Sequence, residues 1–325
     1  MAMQATAKAY ANIALVKYWG KRQAQGNLPE AGSLSLTLEG LSTTTRVCFE
    51  GSGDVLWLDG ELASEAEVRK IQPILDAIRK GAGLQRGARV ETHNAFPTAA
   101  GLASSASGMA ALTKAACAAA GLSLSPTEQS AIARLGSGSA TRSMFGGFVR
   151  WHAGTAADGS DSVAEQLYGP EHWDMRVVVA VISGQRKPMS STRGMLHTQA
   201  TSPYHTAWVG SVQTDLRAAQ TAIGARDWAG LRAVAERSCL RMHADMMAAD
   251  PPLVYLQPES WSVIQTVWSL RQQGVQLLFT ADAGPNIKVF CDPAGLERVR
   301  AALAAHAAVS QTLVARPGSG AHLVT

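Results

Sequence analysis

The chain has 325 residues, 46% of them hydrophobic and 17% charged, an ordinary globular composition long enough for two domains or one large one. A formal net charge of +4 suits small acidic ligands, and without any Lys/Arg run or aromatic–basic stripe it argues against nucleic acid as a partner. No segment approaches the roughly 18–20 apolar residues that span a bilayer, so no membrane partner is expected.

In chain order, residues 11–22 come first, reading Ala-Asn-Ile-Ala-Leu-Val-Lys-Tyr-Trp-Gly-Lys-Arg. Lys17 and Lys21 stand beside two aromatics. The segment reads either as a strand with solvated lysines or as one that buries Lys17. An ammonium among apolar neighbours would need an anionic partner, a carboxylate or a phosphate. Residues 42–49 and 55–58 read as strands, with Asp59-Gly60 as a hairpin turn. Val68, Ile71, Leu75 and Ile78 give 65–80 a helical period, and 88–92 reads as a strand.

Residues 96–108 follow, Phe-Pro-Thr-Ala-Ala-Gly-Leu-Ala-Ser-Ser-Ala-Ser-Gly, leading into an alanine-rich helix that stops at Gly121. Gly101 permits close backbone approach, and the amides after it open a helix whose dipole favours an anion. The spacing is neither a Walker A loop nor a dinucleotide fingerprint, and a plain helix-capping loop fits the same residues. Ser125-Pro126-Thr127-Glu128 is a capping box opening a helix that ends at Gly136. A second candidate anion loop spans 136–143, where small residues give room, Ser137 and Ser139 give hydroxyls, and Arg142 gives a planar fork suited to phosphate.

Residues 175–182 form an apolar β-branched run, read as a buried strand. A polar stretch, 185–192, precedes helical patterns at 207–223, 228–247 and 260–273. Strands at 275–280 and 287–290 and a helix at 295–306 complete the chain, with a domain boundary near residue 184. Asp282 ends an apolar strand at a Gly-Pro turn. It either initiates that turn or is a carboxylate presented on a rigid support.

His243 reads as a packed helix residue, since no second ligand stands at i+4, and His93 as a strand cap. Met246, Met247, Trp261 and Trp268 read as core or interface residues. The four cysteines, Cys48, Cys117, Cys239 and Cys291, form no CxxC pair and read as reduced thiols. No signal peptide is read at the start, and a cytoplasmic location is expected.

Taken together, residues 11–22, 96–108, 136–147, 191–195, Pro251-Pro252 and 282–286 resemble the diphosphomevalonate decarboxylase family, in order and over nearly the whole chain. Lys-Tyr-Trp-Gly-Lys at 17–21 and Ser-Gly-Ser-x-x-Arg at 137–142 set this branch apart from related kinases. The resemblance implies an α+β chain of the GHMP-kinase fold. Its ribosomal-protein-S5-like N-terminal domain would be 1–184 and its ferredoxin-like C-terminal domain 185–325, with the ligands in the cleft between them. It further implies a homodimer that uses ATP and Mg2+ to convert mevalonate 5-diphosphate to isopentenyl diphosphate, ADP, phosphate and CO2.

By the same resemblance Asp282 is the catalytic aspartate and Lys17 the lysine beside it. Ser137, Ser139 and Arg142 match groups that hold the substrate's diphosphate and carboxylate. Tyr18, Lys21 and Ser191 match further substrate contacts, and Asn12 lies in the same block. Pro97, Gly101, Leu102, Ala103, Ser104 and Ser105 match the ATP-phosphate loop. The chain departs from the family pattern at Asn94-Ala95 and at 30–35, and it has no clear counterpart of the magnesium-binding glutamate found elsewhere in the fold. A decarboxylase for mevalonate 5-phosphate or the 3,5-bisphosphate, a kinase that stops after phosphorylation, and a non-catalytic ligand sensor are the alternatives.

Overall fold

The computed structural model describes residues 3–96, 104–182 and 189–324. Its first long strand, β1 (Gln4–Val16), is almost wholly buried from Ala7 onward. After it come a short hairpin, β2 (Lys21–Gln23) and β3 (Leu28–Pro29), and the 17-residue β4 (Ser33–Phe49). β1 and β4 pair antiparallel from Gln4↔Cys48 to Val16↔Leu34, with register shifts between Tyr10 and Asn12 and between Ala14 and Val16. Such irregularities bend a strand and re-aim its side chains. Here they flank Asn12 and the approach to Lys17.

The sheet continues through β5 (Val55–Leu58), β6 (Glu61–Leu62) and, after α1 (Glu65–Ala82), β7 (Ala88–Asn94). Asp59 and Gly60 between β5 and β6 both have positive φ, 51° and 91°, as a tight hairpin of this kind requires. α2 (Ser104–Ala119) follows, its Ala110, Ala111, Ala115 and Ala116 fully buried. Small side chains let a helix sit close to its neighbours. α3 (Pro126–Gly136) begins at the expected capping box, Ser125 and Glu128 bonding reciprocally. The one-turn α4 (Ala140–Ser143), β8 (Phe148–Trp151) and β9 (Ala164–Tyr168) complete this half.

β10 (Arg176–Val181) begins the second half and precedes α5 (Ser191–Thr201), α6 (His205–Ala225), α7 (Trp228–Met247) and α8 (Pro258–Gln272). Next come β11 (Leu277–Ala281), β12 (Ile287–Cys291), α9 (Leu296–Ala304), β13 (Gln311–Pro317) and β14 (His322–Val324). The strands run β11-β12-β10-β13-β4-β7-β5-β6. The halves meet where Arg316 and Pro317 of β13 pair with Glu39 and Leu38 of β4. β14 returns to pair with β1, Thr6 opposite Val324. One apolar cluster spans the join, placing Leu15, Trp19 and Leu36 with Val177, Leu216 and Phe290.

Several elements differ from expectation. The strand read at 42–49 is the second half of β4. Residues 191–201, within and beyond the polar stretch, are helical, opened by Ser190, whose hydroxyl accepts from the Arg193 amide. The last helix is Leu296–Ala304, preceded by a 3-10 turn at Pro293–Gly295. Met246 is core, whereas Met247, Trp261 and Trp268 are 40%, 36% and 38% exposed. Pro97, Gly101, Leu102, Ala103 and the boundary near 184 lie outside the described residues.

Candidate active site

β1 ends at Val16, and the next residue, Lys17, is carried into the interior. Its amide donates to the Ser238 hydroxyl of α7 at 3.0 Å, and its side chain is 1% exposed. From the other half, all five residues of β11 are buried. The strand delivers Asp282 at its end, where the Gly284 amide donates back to the Asp282 carbonyl at 2.7 Å. The Lys17 Nζ donates to Asp282 Oδ1 at 2.7 Å. The solvated-lysine reading is thereby corrected, because an ammonium this deeply buried requires a counter-charge.

A second ammonium, Lys288 Nζ of β12, lies 3.3 Å from Asp282 Oδ2. Burial alone would raise the Asp282 pKa, but Lys17 and Lys288 outweigh it and hold the carboxyl well below the usual range. Under this pair sits His243 of α7, 2% exposed. Burial, with Lys17 adding to it, pulls His243 down to about 3, so the ring is neutral. Cys239 accepts from the Ala281 amide at 3.1 Å, fixing the strand just before the aspartate. Sequence reasoning missed Lys288, although a lone lysine in the apolar run Ile287–Cys291 carried the same signal as Lys17.

Beside the pair, Arg142 of α4 is 3% exposed. Its Nε donates to Asn12 Oδ1 at 3.2 Å and its Nη1 to Ser33 Oγ at 2.5 Å. Asn12 in turn donates to the Ser139 carbonyl at 3.0 Å and to Ser143 Oγ at 2.8 Å. Among the described residues Arg142 has no ion-pair partner. Burial pulls its pKa to about 10, Asp282 opposing, so the guanidinium remains charged near neutrality. Lys21 is 5% exposed, its pKa also lowered by burial. Among the described residues its ammonium meets only neutral oxygens, Asn27 Oδ1 at 2.5 Å and Thr192 Oγ1 at 3.4 Å.

Tyr18 completes this corner. Its hydroxyl is buried without a hydrogen-bond partner among the described residues, and burial raises its pKa, so it stays a donor. The loop of Ser137 and Ser139 passes so near that a Cβ on Gly138 would lie 2.8 Å from the Tyr18 oxygen and 2.9 Å from the Trp151 ring. From outside, the Trp19–Lys21 turn is held by residues 30, 199 and 205. His205 bonds Glu30 at 2.6 Å and Asp245 at 2.8 Å, while Gln199 donates to Glu30 at 2.8 Å.

Asn12, Lys17, Tyr18, Lys21, Arg142 and Asp282 open on one cavity of about 550 Å3. Ser137, Ser139 and Ser191 line it too, as does Ser105, whose hydroxyl is 3.4 Å from that of Ser137. Ser104 begins α2 without being part of the lining. Ser104 and Ser105 are the first described residues of α2. Lys70 and Asn27 are lining residues that sequence reasoning did not single out. With Lys70, the described lining carries four cations and one carboxylate. Among the described residues, no three His, Cys, Asp or Glu side chains group as a metal cage would. Such a cavity accommodates polyanions, with one paired carboxylate available to handle a proton.

Residues 9–164 match the family model of the diphosphomevalonate decarboxylase-like N-terminal domain, and 177–318 that of the mevalonate 5-diphosphate decarboxylase C-terminal domain. The diphosphomevalonate decarboxylase of Candida albicans is 38% identical over 318 residues, 93% of this chain and 88% of the relative. A solved complex of MDDEF with MVAPP, AMPPCP and magnesium superposes with a TM-score of 0.92 at 40% identity, covering 99% of this chain and 98% of the other. The mevalonate diphosphate decarboxylase of Staphylococcus aureus superposes at 0.95 with 37% identity, covering 100% and 99%.

Proposed function

The chain belongs to the diphosphomevalonate decarboxylase family, and we propose that its cavity carries out the ATP-dependent decarboxylation of mevalonate 5-diphosphate. The products are isopentenyl diphosphate, ADP, phosphate and CO2. One observation carries the assignment to these residues. A buried ammonium paired with a half-buried carboxylate opens on the same cavity as two further buried cations that have no counter-ion among the described residues. Stability alone gives no reason to bury unpaired charge, whereas a polyanionic substrate does.

Asp282 orients the tertiary 3-hydroxyl and takes its proton as the oxygen attacks the ATP γ-phosphoryl group. Lys17 lies alongside and offsets charge growing on the transferred group. Phosphorylation turns the hydroxyl into a leaving group. As phosphate departs, positive charge grows on the tertiary carbon, and the electron pair released with CO2 forms the double bond. Arg142, Ser137 and Ser139 hold the diphosphate and carboxylate, with Asn12 fixing the Arg142 fork. Tyr18 donates its free hydroxyl, and Lys21 and Ser191 add further contacts.

The start of α2, with Ser104, Ser105 and the adjoining Pro97, Gly101, Leu102 and Ala103, receives the ATP phosphates. The hydroxyl-rich lining fits magnesium brought in with ATP: Ser105 would be the residue to hold it, and it would supply neutralisation of phosphate charge. We divide the chain into 1–184 and 185–325; the first part lends β10 to the second, and the second returns β14 to the first. A homodimeric, cytoplasmic enzyme completes the reading. The test offers mevalonate and its 5-phosphate, 5-diphosphate and 3,5-bisphosphate, scoring ADP and CO2 together. Equal amounts of both from the 5-diphosphate are expected. ADP without CO2 would reduce the enzyme to a kinase, and neither product would leave only a ligand sensor.

A further inference from the structure

Asp282 is gripped on both oxygens by lysines from different strands. Lys17, after β1, takes Oδ1 at 2.7 Å, and Lys288, within β12, lies 3.3 Å from Oδ2. The two oxygens are not equivalent. Oδ2 is sealed from solvent, while the side chain as a whole keeps 28% exposure and lines the cavity, so Oδ2 is not the oxygen open to it. Lys17 lines that cavity and Lys288 does not. Lys288 is itself 1% exposed, and its other bond is to the Asn286 carbonyl at 3.3 Å, two residues back on its own chain.

We propose that Lys288 is a positioning residue for the reaction: it holds the Asp282 carboxylate in one orientation, with Oδ1 turned to the substrate, and remains its counter-charge when ligands engage Lys17. The inference rests on the function proposed above. Once a phosphoryl group and a substrate carboxylate enter, Lys17 is shared among several anions, and added negative charge favours protonating Asp282. A cation outside the cavity is not shared. The other groups facing the aspartate cannot replace it. His243 and Cys239 of α7 are both held neutral, chiefly by burial, and the Arg142 fork is committed to Asn12, Ser33 and the cavity.

The test uses the full chain with Lys288→Met, which keeps the stem and removes the charge, and Lys288→Gln, which keeps a donor. In both, kcat should fall roughly 10- to 100-fold, the scale of losing a residue that orients a reactive group, with KM for ATP and mevalonate diphosphate within about twofold. The variant-to-wild-type kcat ratio should fall further as the buffer goes from about pH 8 to about pH 5.5, because the less-compensated carboxylate protonates more readily. A folded neutral variant with wild-type kcat at both ends of that range would overturn the proposal. So would a raised KM at unchanged kcat, which makes Lys288 a binding residue, or failure of both variants to fold, which makes it a folding residue. Wild-type enzyme without ADP or CO2 release would instead refute the function itself.

Discussion

Replacing Arg142 by alanine separates binding from folding more sharply than any other change. The native guanidinium makes neutral bonds to Asn12 and Ser33 and has no ion pair among the described residues, which leaves its remaining edge for a ligand anion. Two charge-assisted bonds to a diphosphate, at about 1.5 kcal/mol each, amount to about 3 kcal/mol, or roughly 100-fold in affinity. Removing a buried cation that lacks a partner should cost the empty protein far less than breaking a buried pair does. Calorimetric titration should therefore show mevalonate diphosphate weakened roughly 100-fold, ATP within about twofold, and an unliganded melting temperature within a few degrees of wild type. Unchanged diphosphate affinity, or a greater loss for ATP, would refute the placement of Arg142.

Asp282→Asn keeps the shape of the side chain but cannot take a proton. Single-turnover ADP and CO2 release should slow by about 10²–10⁴-fold with both ligands still bound; wild-type turnover would exclude it as the proton acceptor. Gly138→Ala places a methyl 2.8 Å from the Tyr18 oxygen; overpacking of this kind costs about 1–3 kcal/mol, and denaturant melts should register it along with a raised KM for the diphosphate substrate. For His205, burial lowers the pKa, but Asp245 and Glu30 outweigh it and the net shift is upward. A raised folded pKa gives stability that is complete below the unfolded value of about 6.5 and is lost as pH rises through the folded one. The stability gap between wild type and His205→Gln should therefore be widest in acid and shrink above that range; a gap that widened with rising pH would reverse the assignment.

How much of this was legible in the sequence depended on whether a local signal survived burial. The Ser125 capping box, the Asp59-Gly60 turn and the β11–β12 hairpin act between near neighbours and were readable. Only the end of β1 was, within the strand read at 11–22, because Ala9 to Val16 is buried on both faces and shows no alternation to count. The helix α5 was hidden by its polar start, although Ser190 is an ordinary N-cap. Lys17 was flagged by its apolar neighbours, but whether its partner was a carboxylate or a phosphate could not be read across the intervening chain. Lys288 carried the same flag and was passed over. Lys21 and Arg142 were assigned by resemblance, yet that they have no counter-ion among the described residues appears only once the loops are brought together.

The ammonium and the carboxylate at the centre of the cavity come from positions 265 residues apart. While the polypeptide is being synthesised, Lys17 leaves the ribosome long before the acid that compensates it, and β1 awaits β14, the last strand described. Closing so long a loop is slow, and multi-part chains expose unfinished surfaces meanwhile. No amino-terminal fragment lacking β11 can therefore assemble this centre, and activity should appear only once the far end of the chain has folded back on the beginning.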